Sequence, residues 1–150
     1  MNFKSVDDIL DYAIQREIEA YEFYTELAGK LDNPAMRKLF EGFAGEEKGH
    51  KAKLESIKAD KSLVPAQKEV LSLNMADYMV DVEVTPDISY QDALIVAMKK
   101  EKAAFRLYTD LAASTDNAAI RTIFKVLAQE EAKHKLRFEI EYDEFVLTDN

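Results

Sequence analysis

The chain of 150 residues contains no cysteine. That absence excludes disulfides, thiolate zinc sites, iron–sulfur clusters and cysteine nucleophiles, so any bound metal has to use oxygen and imidazole ligands. Glycine and proline are scarce, at four and three residues, and leave few turns. Alanine, leucine, glutamate, lysine and methionine are plentiful and favour helix over strand. No window approaches the ~18 apolar residues of a membrane span. The opening MNFKSVDDIL lacks a long apolar run and a small-residue cleavage site. Concentrated positive charge is missing too: the net charge is −9, with Lys and Arg scattered among acids. Nucleic acid and anionic membranes both demand a positive surface, so neither is expected as a partner. The expected setting is soluble and cytoplasmic.

A hydrophobic content of 47% is enough to fill one core at this length. We expect a single all-α domain over residues 1–150. Its sequence is duplicated. At an offset of 84 residues, LDYAIQREIEAYEFYTELA aligns with LIVAMKKEKAAFRLYTDLA, and FEGFAGEEKGH with FKVLAQEEAKH. From Asp8/Asp92 to Glu55/Glu139, 20 of the 48 aligned pairs are identical without a gap, far more than chance gives, so one helical hairpin is written twice.

Start signals recur in register. Ser5 with Asp8, and Ser89 with Asp92, have capping-box-like spacing. Asp32-Asn33-Pro34 breaks the first half, with Asn33 as N-cap and Pro34 at the first helical position, and Asp116-Asn117-Ala118 breaks the second. These signals predict helices over roughly 5–31, 34–58, 89–115 and 118–145, that is, repeats over 5–58 and 89–145. The connection 59–88 is too long for a tight turn. A 25-residue helix spans ~38 Å, a length this segment can cross even with a short helix inside it. The expected architecture is an antiparallel four-helix bundle with one long crossover. The same connection could instead hand the second hairpin to another copy, giving a swapped homodimer.

The inward seam of the second helix reads Met36, Phe40, Phe43, Glu47, His50, Leu54 and Ile57. Two charged or polar groups therefore interrupt an apolar stripe. The fourth helix repeats this with Phe124, Leu127, Glu131, His134 and Phe138. The first and third helices each place one seam glutamate, Glu17 and Glu101, among apolar neighbours. Glu17 lies 16 residues before Asn33 and Glu47 lies 14 after it, a mismatch of ~3 Å in rise. Four carboxylates and two imidazoles thus converge at one level. They cannot remain ionised in a dry core without positive charge among them, and two divalent cations supply four. Oxygen-rich ligation with one imidazole per ion suits iron or manganese, with zinc as another occupant. Positions left open on the ions suit O₂ or peroxide.

Glu46 and Glu130, spaced i, i+4 from the histidines, are alternative ligands to Glu47 and Glu131. Tyr24 and Tyr108 lie two turns after the seam glutamates. They are either outer partners of the site, donating a hydrogen bond or carrying an electron hole, or ordinary core aromatics. Met36, Met75, Met79 and Met98 read as core or crossover packing. Glu22 and Glu26 read as a solvated face or an acidic funnel for Fe²⁺.

One glutamate from each of two helices, plus Glu-x-x-His from each of the other two, resembles the ferritin-like diiron carboxylate superfamily. Within it, AIQREIEAYEFYTELA followed by LFEGFAGEEKGHKAKLE looks like the rubrerythrin branch. The resemblance covers roughly residues 5–60 and 89–145. It implies two iron ions held by Glu17, Glu47, His50, Glu101, Glu131 and His134, and reduction of H₂O₂ or O₂. Two departures matter. Without cysteine there is no rubredoxin-type centre, so electrons must come from an external donor. The family's extra glutamate, one turn after the third-helix ligand, is here Ala104, which leaves a site of bacterioferritin-like composition. The few residues after Phe145 leave no fifth helix for a large storage cage, although oxidation and transfer of Fe²⁺ remains the alternative function, beside a vestigial structural bundle.

Overall fold

Residues 3–60, 73–80 and 85–149 are described by the computed structural model. Four α-helices carry most of them: α1 (Val6–Gly29), α2 (Pro34–Ala59), α3 (Tyr90–Ala113) and α4 (Ala118–Asp149), with a 3-10 turn at Met75–Tyr78. Each start is fixed by its cap. Ser5 and Ser89 accept from the Asp8 and Asp92 N–H at 3.0 and 3.1 Å. The Asp8 carboxylate does not close the box on Ser5. It accepts instead from the Lys4 N–H at 3.0 Å. Asn33 accepts from Ala35 and Met36, with Pro34 opening α2, and Asn117 accepts from Ile120. These bonds satisfy donors that the first turn of a helix otherwise leaves without partners.

Helices α1 and α3 end two residues short of expectation, within ordinary fraying. Helix α4 runs four residues beyond 145 to Asp149, because neither glycine nor proline follows Phe145 to stop it.

Helices α1 and α2 form one hairpin and α3 and α4 the other. The hairpins meet with α1 antiparallel to α3: Tyr24 reaches Glu101, while Glu17 is reached by Tyr108. Helices α2 and α4 are antiparallel in the same way, through His50 with Glu130 and His134 with Glu46. Two apolar blocks fill the bundle. One holds Ile9, Leu10, Leu54, Leu111 and Phe124, and the other holds Tyr24, Phe40, Phe43, Leu94 and Phe138. Each fully buried phenyl contributes about 1.5–3 kcal/mol, which lets the fold carry a polar layer between the blocks.

Helix α2 ends in the first block and α3 begins in the second, so the connection between them traverses the bundle. Its course at 61–72 and 81–84 lies outside the described residues. The part that is described is pinned by Tyr78. Its carbonyl accepts from the Tyr12 hydroxyl at 3.2 Å, and its own hydroxyl donates to Asp110 at 2.7 Å. Phe3 packs against both rings. Met36, Met75 and Met98 pack against the core as expected. Met79 does not: it is 62% exposed, turned outward between Tyr78 and Val80. No helix among the described residues is long and apolar enough to cross a membrane.

Candidate metal centre

The polar layer between the blocks contains Glu17 of α1, Glu47 and His50 of α2, Glu101 of α3, and Glu131 and His134 of α4. None is more than 2% exposed. Isolated charges at such depth carry desolvation costs of many kcal/mol, so their surroundings decide what the layer is for.

His50 Nδ1 lies 2.9 Å from Glu131 Oε1, 3.6 Å from Glu17 Oε2 and 3.7 Å from Glu47 Oε1. His134 Nδ1 mirrors it, 3.1 Å from Glu47 Oε1, 3.6 Å from Glu101 Oε1 and 4.0 Å from Glu131 Oε1. None of these contacts makes a hydrogen bond. One atom of each residue has no hydrogen-bond partner: Glu17 Oε2, Glu47 Oε1, His50 Nδ1, Glu101 Oε2, Glu131 Oε1 and His134 Nδ1. Buried polar atoms are rarely left so. The donors sort into two groups, Glu17–Glu47–His50–Glu131 and Glu47–Glu101–Glu131–His134, with the ligating atoms of each group within 4.8 Å of one another. Glu47 and Glu131 belong to both. A pair of cations sharing two carboxylates fits this donor set, and the orphaned atoms are what such a pair would satisfy.

The outer nitrogen of each imidazole is held by the other hairpin. His134 Nε2–H donates to Glu46 at 2.6 Å, and His50 Nε2–H donates to Glu130. This turns Nδ1 inward and fixes the ring. Glu46 and Glu130 therefore stand outside the cluster rather than within it. The sequence reading weighed them only as substitutes for Glu47 and Glu131. The signal that could have found their role was the Glu-Glu doublet, repeated intact at 46–47 and 130–131. Phe43 stacks on His134 at 4.3 Å between ring centroids. The duplicate position is Leu127, so His50 has no such phenyl.

Tyr24 and Tyr108, both buried, donate their hydroxyls to Glu101 and Glu17 of the opposite hairpin. They are core aromatics and outer partners of the carboxylates at once. Burial, then the neighbouring carboxylates, raises both phenols well above their usual range, so they remain donors.

Burial is the largest influence on Glu47 and Glu131 and raises both. Nearby carboxylates, Glu101 first, raise them further, Glu47 to about 8 and Glu131 well above the usual range. Burial opposes charge on the imidazoles, but the carboxylates outweigh it. Glu17 leads in taking His50 to about 9, and Glu101 in taking His134 to about 11. Burial and crowding thus favour protons on all four groups, and bound cations would take the place of those protons.

A cavity of about 90 Å³ opens between α1 and α3 on the side away from the histidines. Glu17 and Glu101 form its floor, Ala20 and Ala104 its narrow walls, and Tyr78 and Val80 cover it. Glu22 and Glu26, the two residues read as a possible funnel, are both exposed. Neither lines this cavity.

The model of the rubrerythrin family matches residues 8–142. Among solved structures, a protein of Thermotoga maritima described as a candidate ferritin-like diiron-carboxylate protein is 24% identical. It superposes with a TM-score of 0.80 over 96% of this chain and 98% of that one. A hypothetical protein of Pyrococcus furiosus is 26% identical, with a TM-score of 0.71 over 93% of this chain and 89% of that one. No curated protein matches.

Proposed function

Since the chain belongs to the rubrerythrin family, we propose that it is a diiron oxidoreductase that reduces H₂O₂ or O₂ with electrons from an external donor. The observation that carries this reading is the set of six orphaned atoms, one from each of Glu17, Glu47, His50, Glu101, Glu131 and His134. In this reading those six residues would hold the metal, with Glu47 and Glu131 common to both donor groups. Carboxylate and imidazole donors favour iron or manganese, with zinc as another occupant. When bound, the ions supply the redox chemistry and Lewis acidity.

The chain does the rest. Glu46 and Glu130 aim the histidines, and Tyr24 and Tyr108 aim Glu101 and Glu17. The two apolar blocks exclude water from above and below. The opening between α1 and α3 gives the oxidant a route to the face opposite the histidines. The reaction H₂O₂ + 2e⁻ + 2H⁺ → 2H₂O consumes protons and electrons. This chain has no cysteine and therefore no thiolate-bound iron centre to store electrons, so in this reading the electrons come from an external donor. We further propose a cytoplasmic homodimer, with exchange of the second hairpin between copies as its swapped form.

The test is rapid mixing of the reduced, iron-loaded protein with H₂O₂ and with O₂. Oxidation by one of them faster than that of free ferrous ion is expected. If neither is faster, the enzymatic reading fails.

A second reading rests on Ala104. The residue that the peroxide-reducing members carry there is missing, so the remaining composition also suits a ferroxidase that oxidises Fe²⁺ and passes it on. Uptake of many irons per chain favours it, whereas two irons with continued turnover favour the oxidoreductase. A vestigial bundle would carry negligible metal after native purification.

A further inference from the structure

We propose that the cavity between α1 and α3 binds the alkyl group of a small organic hydroperoxide, so that the substrate class extends beyond H₂O₂. This rests on the peroxide-reducing reading above. The cavity is larger than that chemistry requires. A water-sized molecule needs only about 10–15 Å³ of such volume, and the space measures about 90 Å³. Ions bound among the glutamates would take the floor. What remains accepts an alkyl group of roughly two to four carbons.

The walls suit such a group. Ala20, Ala104 and Leu107 give much of the lining methyl and methylene surface, while Arg16, Glu19 and Lys100 also border the space and Glu17 and Glu101 reach it from the metal layer. A molecule with an apolar body and a polar O–O end is thereby oriented with the reactive end at the floor. Ala104 is decisive, because a glutamate at this position would both fill the space and charge it. The cover is fixed by the two hydrogen bonds of Tyr78, so the cavity exists before any ligand arrives. The reaction is ROOH + 2e⁻ + 2H⁺ → ROH + H₂O. The O–O bond breaks, one oxygen leaves in the alcohol and the other in water. Two electrons come from the external donor and two protons from solvent.

Binding is tested first on the metal-free protein, by titrating methyl-labelled alanines with tert-butanol, the product of tert-butyl hydroperoxide. Saturable shifts at Ala20, Ala103 and Ala104 are expected. In Ala104→Leu, the shifts at Ala20 and Ala103 should be lost. In the iron-loaded protein, Ala104→Leu should lower kcat/KM for tert-butyl hydroperoxide about tenfold or more beyond whatever it does to that for H₂O₂. If the leucine variant does not fold, Ala104→Val takes its place with a smaller effect in the same direction. Absence of saturable shifts, or equal losses with both peroxides, overturns the proposal. Reduction of H₂O₂ without binding of the alcohol sinks this inference alone. Reduction of neither peroxide sinks the functional reading beneath it.

Discussion

His134 Nε2 lies 2.6 Å from Glu46 Oε2, on the helix opposite its own, and His50 repeats the contact with Glu130. Each imidazole is thus positioned by the hairpin that does not carry it. Replacing Glu46 and Glu130 by Ala frees both rings to rotate and removes the carboxylate that strengthens Nδ1 as a ligand. Metal affinity should fall about 10–100-fold while the helical content is retained. Competition with a chelator of known affinity measures the change, and an unaltered affinity would show that the outer contact does not matter.

The metal-free protein should lose stability as pH rises. His50 and His134 have folded-state pKa values of about 9 and 11, above the ordinary value of 6.5. Their contribution is therefore fully present below 6.5 and lost through the window from 6.5 to about 11. Glu47, raised from 4.5 to about 8, and Glu131, raised well above 4.5, act in the same direction. The folded state binds protons that the unfolded state has released, so stability falls as pH rises above 4.5. Urea unfolding at pH 5, 7 and 9 checks the slope. The bound metal replaces those protons, so metal binding should release protons and tighten as pH rises over the same range.

Tyr24→Phe and Tyr108→Phe remove the hydrogen bonds to Glu101 and Glu17. Each should cost the metal-free protein about 1–3 kcal/mol, because a buried acceptor is left without its donor. Denaturant titration reads this loss. A change within error for both variants would make the tyrosines mere packing.

Removing the glutamates alone strands the tyrosine hydroxyls instead. The combination Glu17→Leu, Glu101→Leu, Tyr24→Phe and Tyr108→Phe takes away both sides of each contact. It should abolish metal binding and leave the metal-free bundle as stable as the parent or more so. Marked destabilisation would mean that the carboxylates serve folding.

Much of this arrangement was legible because the chain says it twice. The seam positions of Glu17, Glu47, Glu101 and Glu131 followed from helical period, and the caps at Ser5, Asn33, Ser89 and Asn117 set the element starts. Period fixes which face of a helix turns inward, but not which residue of a crossing helix it meets. For that reason Tyr24 was visible as a neighbour of the site while its bond to Glu101 was not. The same limit concealed Glu46, whose partner lies 88 residues away. The cavity depended on Ala20, Ala104 and Tyr78 coming to line one space, a juxtaposition that only the packed hairpins create.

The most direct test of the central claim is a crystal structure of the natively purified protein, with diffraction data collected on both sides of the iron absorption edge. Two anomalous peaks about 3.5–4 Å apart, bridged by Glu47 and Glu131, are the expected result. A structure with no ion in this layer, or with metal bound only elsewhere on the chain, would contradict it.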